Sequence, residues 1–454
     1  MTSVDHSSPR ASIGRKKIVF VGASYKFVHR VFRDMILVGG FQDCEIALLD
    51  IDEVPLKTVG DLCERMARQR KTNVTITRTL DRPSALKDAD IVVLSITVGG
   101  RESDMRSFEV CAKYEIPVGV GDTLGPAALA RNLRTIPVIR QLVRDMEALC
   151  PKALLLNFTN PMSCLTGAAA RMGSIPTYGL CHSADGLAEY FSTIFHCPMS
   201  QVDMEIGGVN HQAFLTRLRI AGVDRTGDIL ATSVKEASAT VKDQLLGHEE
   251  DVSLQQDVYR VLGVWPSTGH THLAEFYPFF FTPRRIDHIR PGLKAIMPGR
   301  AALGRMEPNP LLLKWAYGTE PVGDLDLMTN EHAHELMWTW LTGEPYTRVV
   351  NVLNSGEYLT GVPKDACVEV SATIAGRSMT AKPVTLPTAA LSWVQRWTAV
   401  HDLTIRAAVD CDRAAAMQAL MLDPHVTDLY DIAPMLEDFL TALEPWMPRG
   451  WYRS

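Results

Sequence analysis

The feature that most constrains this chain is an alternation in its first half, where short runs of Val, Ile and Leu are separated by longer amphipathic stretches. Lys17-Ile18-Val19-Phe20-Val21-Gly22 precedes a helical pattern over 28–38, then come Glu45-Ile46-Ala47-Leu48-Leu49-Asp50, a helix over 53–70 and a strand over 73–77. A short helix over 83–87 leads to Asp90-Ile91-Val92-Val93-Leu94-Ser95, and further strands are expected at 153–157 and 175–180, with helices over 127–149 and 163–172. Strands covered on both faces read as continuous apolar runs, and parallel neighbours need a crossover long enough to hold a helix. The expected fold class is therefore α/β, a Rossmann-like doubly wound parallel sheet.

Open sheets of this kind place ligands at the carboxyl ends of their strands. Gly22, Ala23 and Ser24 form the first such turn, and Asp50 closes the second strand, where a carboxylate would accept hydrogen bonds from an adenosine ribose. The turn Gly22-Ala23-Ser24-Tyr25-Lys26-Phe27 keeps the first of the three fingerprint glycines. It therefore fits either a dinucleotide such as NAD or the strand end of any doubly wound fold. Thr97-Val98-Gly99-Gly100 ends another strand, and a long loop over 101–126 follows, carrying Asp122 without an assigned role. Asn160 stands before Pro161, so its amide either faces a ligand at a strand end or caps the helix that follows.

A chain of 454 residues exceeds what one growing core usually holds, and two joined regions are expected. Residues 1–15 read as a polar tail, 16–197 as the NAD-binding Rossmann-like domain, and 198–454 as a helix-rich α+β domain for substrate, metal and oligomer contacts. The second region opens on the alternating strand at 213–220, which suggests antiparallel pairing; helices are expected near 227–246, 251–262, 327–342, 389–421 and 425–445. A net charge of -6 argues against nucleic acid or an anionic membrane as partner. The 9 cysteines, odd in number and scattered, fit reduced thiols better than disulfides. With no apolar core in the tail and no bilayer-length apolar run, a cytoplasmic location is expected.

Two polar clusters follow strand-like runs: Gly179-Leu180-Cys181-His182-Ser183 and Gly208-Val209-Asn210-His211-Gln212. A thiolate and an imidazole suit a first-row transition metal far better than magnesium or calcium. A free Cys is equally at home as a buried apolar residue, and a single His is often satisfied by local hydrogen bonds. A third stretch, Ser267 to Pro278, holds His270, His272, Glu275 and Tyr277, either a functional segment or a surface loop with two chance histidines.

Taken together, the nucleotide-type opening, Asn160-Pro161-Met162, the Cys181 cluster, Asn210-His211, Asn132-Leu133-Arg134-Thr135-Ile136-Pro137 and the late Pro363-Lys364-Asp365-Ala366-Cys367-Val368-Glu369-Val370 resemble the family 4 glycoside hydrolases over nearly the whole chain. The resemblance implies NAD and a divalent metal, commonly Mn2+, as cofactors. It implies Cys181 and His211 as metal ligands, Asn160 as a sugar-binding residue, and His182 as proton donor to the departing glycosidic oxygen. A His at that position resembles the α-galactosidase and α-galacturonidase branch, which acts on sugars without a 6-phosphate. The base is a Tyr in several members; here His272 is the best match, with His270 close enough to compete. The family loop is usually Gly-Ala-Gly-Ser, and Ser24-Tyr25 departs from it.

The implied reaction is oxidation at C3 by NAD, removal of the C2 proton, elimination of the C1 substituent, addition of water and re-reduction, a route distinct from the two-carboxylate glycosidases. The small-molecule substrate is expected to be an α-galacturonide or related uronide ahead of a neutral α-galactoside, with Arg101, Arg284 and Arg285 as candidate partners of its carboxylate. A homodimer or homotetramer is also implied. The alternatives are an NAD-dependent sugar or 2-hydroxy acid dehydrogenase without hydrolysis, and a silent sugar or nucleotide sensor.

Overall fold

The computed structural model describes residues 10–229, 253–280, 309–329 and 331–453. Its first half runs β1 (Lys17–Val21), α1 (Val28–Val38), β2 (Glu45–Leu49), α2 (Glu53–Arg70), β3 (Thr75–Thr79), α3 (Arg82–Leu86), β4 (Ile91–Leu94), α4 (Gly100–Lys113), α5 (Gly125–Leu149), β5 (Leu154–Asn157), α6 (Met162–Arg171), β6 (Thr177–Gly179) and α7 (Ser183–Ile194). The strands lie in the order β3-β2-β1-β4-β5-β6, all parallel. This is the doubly wound order, and every residue of β4 and β5 is buried, as the continuous apolar runs required. Asp52 and Asp81 cap α2 and α3 by accepting the amides of Val54 and Ser84.

The second half contributes β7 (Val202–Val209), β8 (Gln212–Ile220), β9 (Val223–Asp224), α8 (Ser253–Leu262), β10 (Trp265–Pro266), α9 (His270–Glu275), α10 (Pro310–Tyr317), α11 (Ala333–Thr342), β11 (Tyr346–Leu353), β12 (Cys367–Ala375), β13 (Ser378–Ala381), α12 (Thr388–Asp410), α13 (Arg413–Leu422) and α14 (Ile432–Ala442). The alternation read at 213–220 is indeed an antiparallel strand. These strands continue the parallel sheet instead of forming their own: β11 pairs with β6, and β12, β7, β8 and β10 follow, so one 13-stranded sheet passes through both regions of the described chain. One row of this sheet, Asn157, Gly179, Asn351, Glu369 and Gly208, crosses β5, β6, β11, β12 and β7. Asn160, Cys181 and His211 each lie two or three residues beyond a member of that row.

Several expected boundaries move. The first half of the loop expected over 101–126 is α4, whose Ser107, Phe108, Val110 and Cys111 are buried on one face and whose Glu102 pairs with Arg106 one turn on. The helix expected at 327–342 begins at Ala333, because His332 before it has φ 49, outside the helical region. The single helix expected over 389–421 breaks at Cys411, with φ 55, after which Asp412 caps α13 through the Ala415 amide. The helix expected at 425–445 starts at Ile432, which puts Pro434 in its first turn, where a missing N–H is tolerated. Most of the helix expected over 227–246 falls outside the described residues.

Candidate active site

The structure brings Asn160, Cys181 and His211 together from three different loops. Cys181 follows β6, with its Sγ 2.8 Å from Ser183 Oγ and 3.2 Å from His211 Nε2. His211 occupies the two-residue turn between β7 and β8 at φ 64, a left-handed position that costs a residue with a Cβ about 1 kcal/mol or more. That conformation aims a buried imidazole at the thiol of a neighbouring loop.

Proton bookkeeping fixes which imidazole nitrogen faces Cys181. Thr123 Oγ1 lies 2.9 Å from Asp122 Oδ1 and 3.0 Å from His211 Nδ1. Burial alone would raise the Asp122 carboxyl, but the surrounding charges, Arg131 among them, and the amide of Asn160 outweigh it and hold the group below the usual carboxylate range. An ionised Asp122 only accepts, so Thr123 donates its one proton to Asp122 and its oxygen receives Nδ1–H of His211. Nε2 is then left with a lone pair directed at Cys181. Burial also pushes the His211 pKa down, against the pull of Asp122 and Glu369, which favours the neutral imidazole that a metal needs.

Asn160 completes this group. Its Nδ2 donates to Asp122 Oδ2 at 3.2 Å, while its Oδ1 has no protein partner. The helix-capping reading of Asn160 fails: α6 begins at Met162, its N-terminal flank is Pro161, and no side chain caps it.

His272 arrives from α9 and lies flat on His211, with ring centroids 3.8 Å apart and 28° between planes. Its Nδ1 is 3.7 Å from Glu275 Oε2, whose other oxygen accepts the Gly121 amide at 2.8 Å. One buried carboxylate thereby links α9 to the loop that carries Asp122 and Thr123. His182 is exposed at the N-terminal flank of α7 and close enough to His211 to influence its charge. Arg131 and Arg134 both grip Asp104, and Arg131 also donates to Thr97 Oγ1 at 3.0 Å, which fastens the loop after β4 to α5.

The nucleotide-type turn lies at the ends of β1 and β2. Gly22 has φ 96, and a Cβ there would stand 2.1 Å from the Ser95 carbonyl oxygen, so only glycine lets β1 leave the sheet this close to β4. Asp50 first stabilises the turn itself: Oδ2 accepts the Ala23 amide at 2.6 Å, and Oδ1 accepts the amides of Ile51 and Asp52 at 2.7 and 3.1 Å. Ser24 Oγ lies 3.4 Å from the Lys26 amide. Arg101 is exposed on the first turn of α4, and Arg284 and Arg285 lie outside the described residues.

Sequence reasoning assigned no role to Thr123, Ser183, Glu275 or Asp122. Spacing offered a signal only for Glu275, one helical turn after His272; the others act across loops distant in sequence. Among the described residues no group of three or more His, Cys, Asp or Glu side chains forms a metal cage, so the site offers one sulfur and one nitrogen with room for oxygens from elsewhere.

The fold and these groups define a class: an α/β enzyme of dinucleotide-binding architecture whose strand-end loops present a thiol–imidazole pair with two further histidines beside it. The chain belongs to family 4 of the glycosyl hydrolases, matching the family model over residues 17–196 and the model of its C-terminal domain over residues 206–426. It is a hydrolase acting on glycosyl compounds. An α-galactosidase of Bacillus subtilis is 31% identical over 448 residues, covering 95% of this chain and 99% of that protein. An α-galacturonidase of Thermoanaerobacterium saccharolyticum is 28% identical over 393 residues, covering 81% of this chain and 82% of that protein. The 6-phospho-β-glucosidase of Thermotoga maritima, solved with manganese, NAD+ and glucose-6-phosphate, shares the fold with a TM-score of 0.77 at 20% identity, covering 95% of this chain and 99% of that one.

Proposed function

We propose that this protein is an NAD- and divalent-metal-dependent α-glycosidase acting on a galacto-configured sugar without a 6-phosphate, with a neutral α-galactoside as the preferred substrate. The observation that supports the reading is the Asp122–Thr123–His211 chain, which leaves the Nε2 lone pair of His211 facing Cys181. Cys181 and His211 would hold the metal; Gly22, Ala23, Ser24 and Asp50 would hold NAD. When bound, NAD supplies a reversible hydride acceptor and the metal, manganese in the Thermotoga relative, a Lewis acid, which together acidify the sugar C2–H.

The chain's own groups do the rest. Asn160, anchored through Nδ2, presents its free Oδ1 to a sugar hydroxyl. His272, with Nδ1 turned to Glu275, offers Nε2 to the C2 proton. His182, exposed at the start of α7, donates a proton to the glycosidic oxygen as it departs. The neutral galactoside is favoured over the uronide by the α-galactosidase relative's match along both chains and by Arg131, an arginine near Asp122 that is already engaged by Asp104 and Thr97.

The test is hydrolysis of an aryl α-D-galactoside, its 6-phospho counterpart and an aryl α-D-galacturonide, with and without added NAD and Mn2+. The expected result is turnover of the α-galactoside only with both cofactors and without accumulating NADH. Stoichiometric NADH formation without release of the aryl group would make the protein a dehydrogenase; preference for the galacturonide would overturn the substrate assignment.

A further inference from the structure

Below the site, four polar side chains close a ring inside the protein. Glu369 Oε2 accepts Nδ2 of Asn210 at 2.7 Å and Nδ2 of Asn351 at 2.8 Å. Ser163 Oγ donates to Asn351 Oδ1 at 2.9 Å and accepts the Asn210 backbone amide at 2.8 Å, which returns the ring to its start. Asn351 is 0% exposed, and Asn210 and Glu369 are each 2% exposed. The ring ties β11, β12 and the first turn of α6 to the peptide immediately before His211.

Its charge is unbalanced. Glu369 Oε1 and Asn210 Oδ1 have no hydrogen-bond partner, and among the described residues no Lys, Arg or His forms an ion pair with Glu369. Two amide donors offset only part of the several kcal/mol that an isolated buried carboxylate typically costs. A ring built only to hold a turn would work as well with a neutral Gln, which accepts at one oxygen. A carboxylate at this depth calls for a cation nearby, and the ring leads through Asn210 directly into the His211 turn.

We infer that Glu369 is a positioning residue of the metal centre, holding the Asn210–His211 turn and supplying the buried negative charge that a divalent cation between Cys181 and His211 offsets. The inference rests on the reading of Cys181 and His211 as metal holders. Partners behind a ligand fix its orientation and tune the ion, and their loss typically weakens metal binding 10–100-fold. In a site with one thiolate and one neutral imidazole, Glu369 adds to the negative charge set against the ion.

The experiment titrates the full-length protein with MnCl2 by calorimetry, and follows metal-free unfolding by circular dichroism, for wild type, Glu369→Gln and Cys181→Ser. Glu369→Gln is expected to keep the metal-free Tm or raise it while its Mn2+ Kd weakens about 10–100-fold. An unchanged Kd in Glu369→Gln overturns the inference, whether or not the Tm falls. If Glu369→Gln yields no folded protein, Asn210→Ala cuts the same link: a Kd weakened about 10-fold or more supports the inference, and a wild-type Kd overturns it. Cys181→Ser separates the two levels: wild-type Mn2+ affinity there sinks the metal reading itself, whereas loss in Cys181→Ser with none in Glu369→Gln sinks only the role of Glu369.

Discussion

His272 and His211 stack face to face at 3.8 Å, so the group proposed to move a proton rests directly on the group proposed to hold the metal. The two differ in what fixes them. His211 is tied by Thr123 and Asp122, His272 by its position one turn before Glu275.

This division makes His272→Ala informative. The variant should bind Mn2+ within a few-fold of wild type, since the Thr123 hydrogen bond to His211 is untouched, while kcat falls about 100-fold or more, as expected on removing a general base. Calorimetry beside steady-state rates reads both; metal binding lost in parallel with kcat would make His272 part of the metal site.

Thr123→Val keeps the shape of the side chain and removes the hydroxyl that receives Nδ1–H. His211 then loses the partner that selects its tautomer, and Mn2+ affinity should fall about 10–100-fold with little change in fold. An unchanged Mn2+ Kd would show that the Asp122–Thr123 chain does not set the ligand.

His182→Ala should slow substrates according to their leaving group. An aryl α-galactoside with an acidic phenol needs little help and should lose only a few-fold in kcat, while an alkyl α-galactoside should lose about 100-fold or more. Equal losses on both substrates would remove His182 from the role of proton donor.

Stability should decline on mild acidification. Burial pushes His401, and burial with Arg30 and Arg33 pushes His29, down to about 4 from an ordinary value of 6.5. Below pH 6.5 the unfolded chain takes up protons that these folded imidazoles refuse, so their contribution is complete above 6.5 and is lost as pH falls to about 4. Thermal melts across that window should show a falling Tm, and His401→Gln should flatten part of the slope if the variant folds; a Tm independent of pH between 6.5 and 4 would contradict the assignment.

Much of this architecture was legible because it rests on local pattern. The apolar runs at 17–22, 45–50 and 90–95 are β1, β2 and β4, and the helix read over 28–38 is α1. What the pattern could not show was assembly. Nothing local says that β11 and β12 insert between β6 and β7, since that pairing joins Gly179 to Asn351 and Glu369 to Gly208 across long separations. The same limit applied at the site. Cys181 and His211 stood out by residue type beside apolar runs, whereas Thr123 and Ser163 are ordinary hydroxyls whose roles come only from what the fold brings against them. The break at Cys411 escaped because neither Gly nor Pro marks it.

The most direct measurement of the central claim is hydrolysis of an aryl α-D-galactoside in deuterated water with NAD and Mn2+, followed by NMR of the released sugar. If His272 removes the C2 proton before the glycosidic bond breaks, deuterium appears at C2 of the product, and His272→Ala lowers the exchange together with turnover. Efficient hydrolysis that leaves C2 fully protonated would contradict the account.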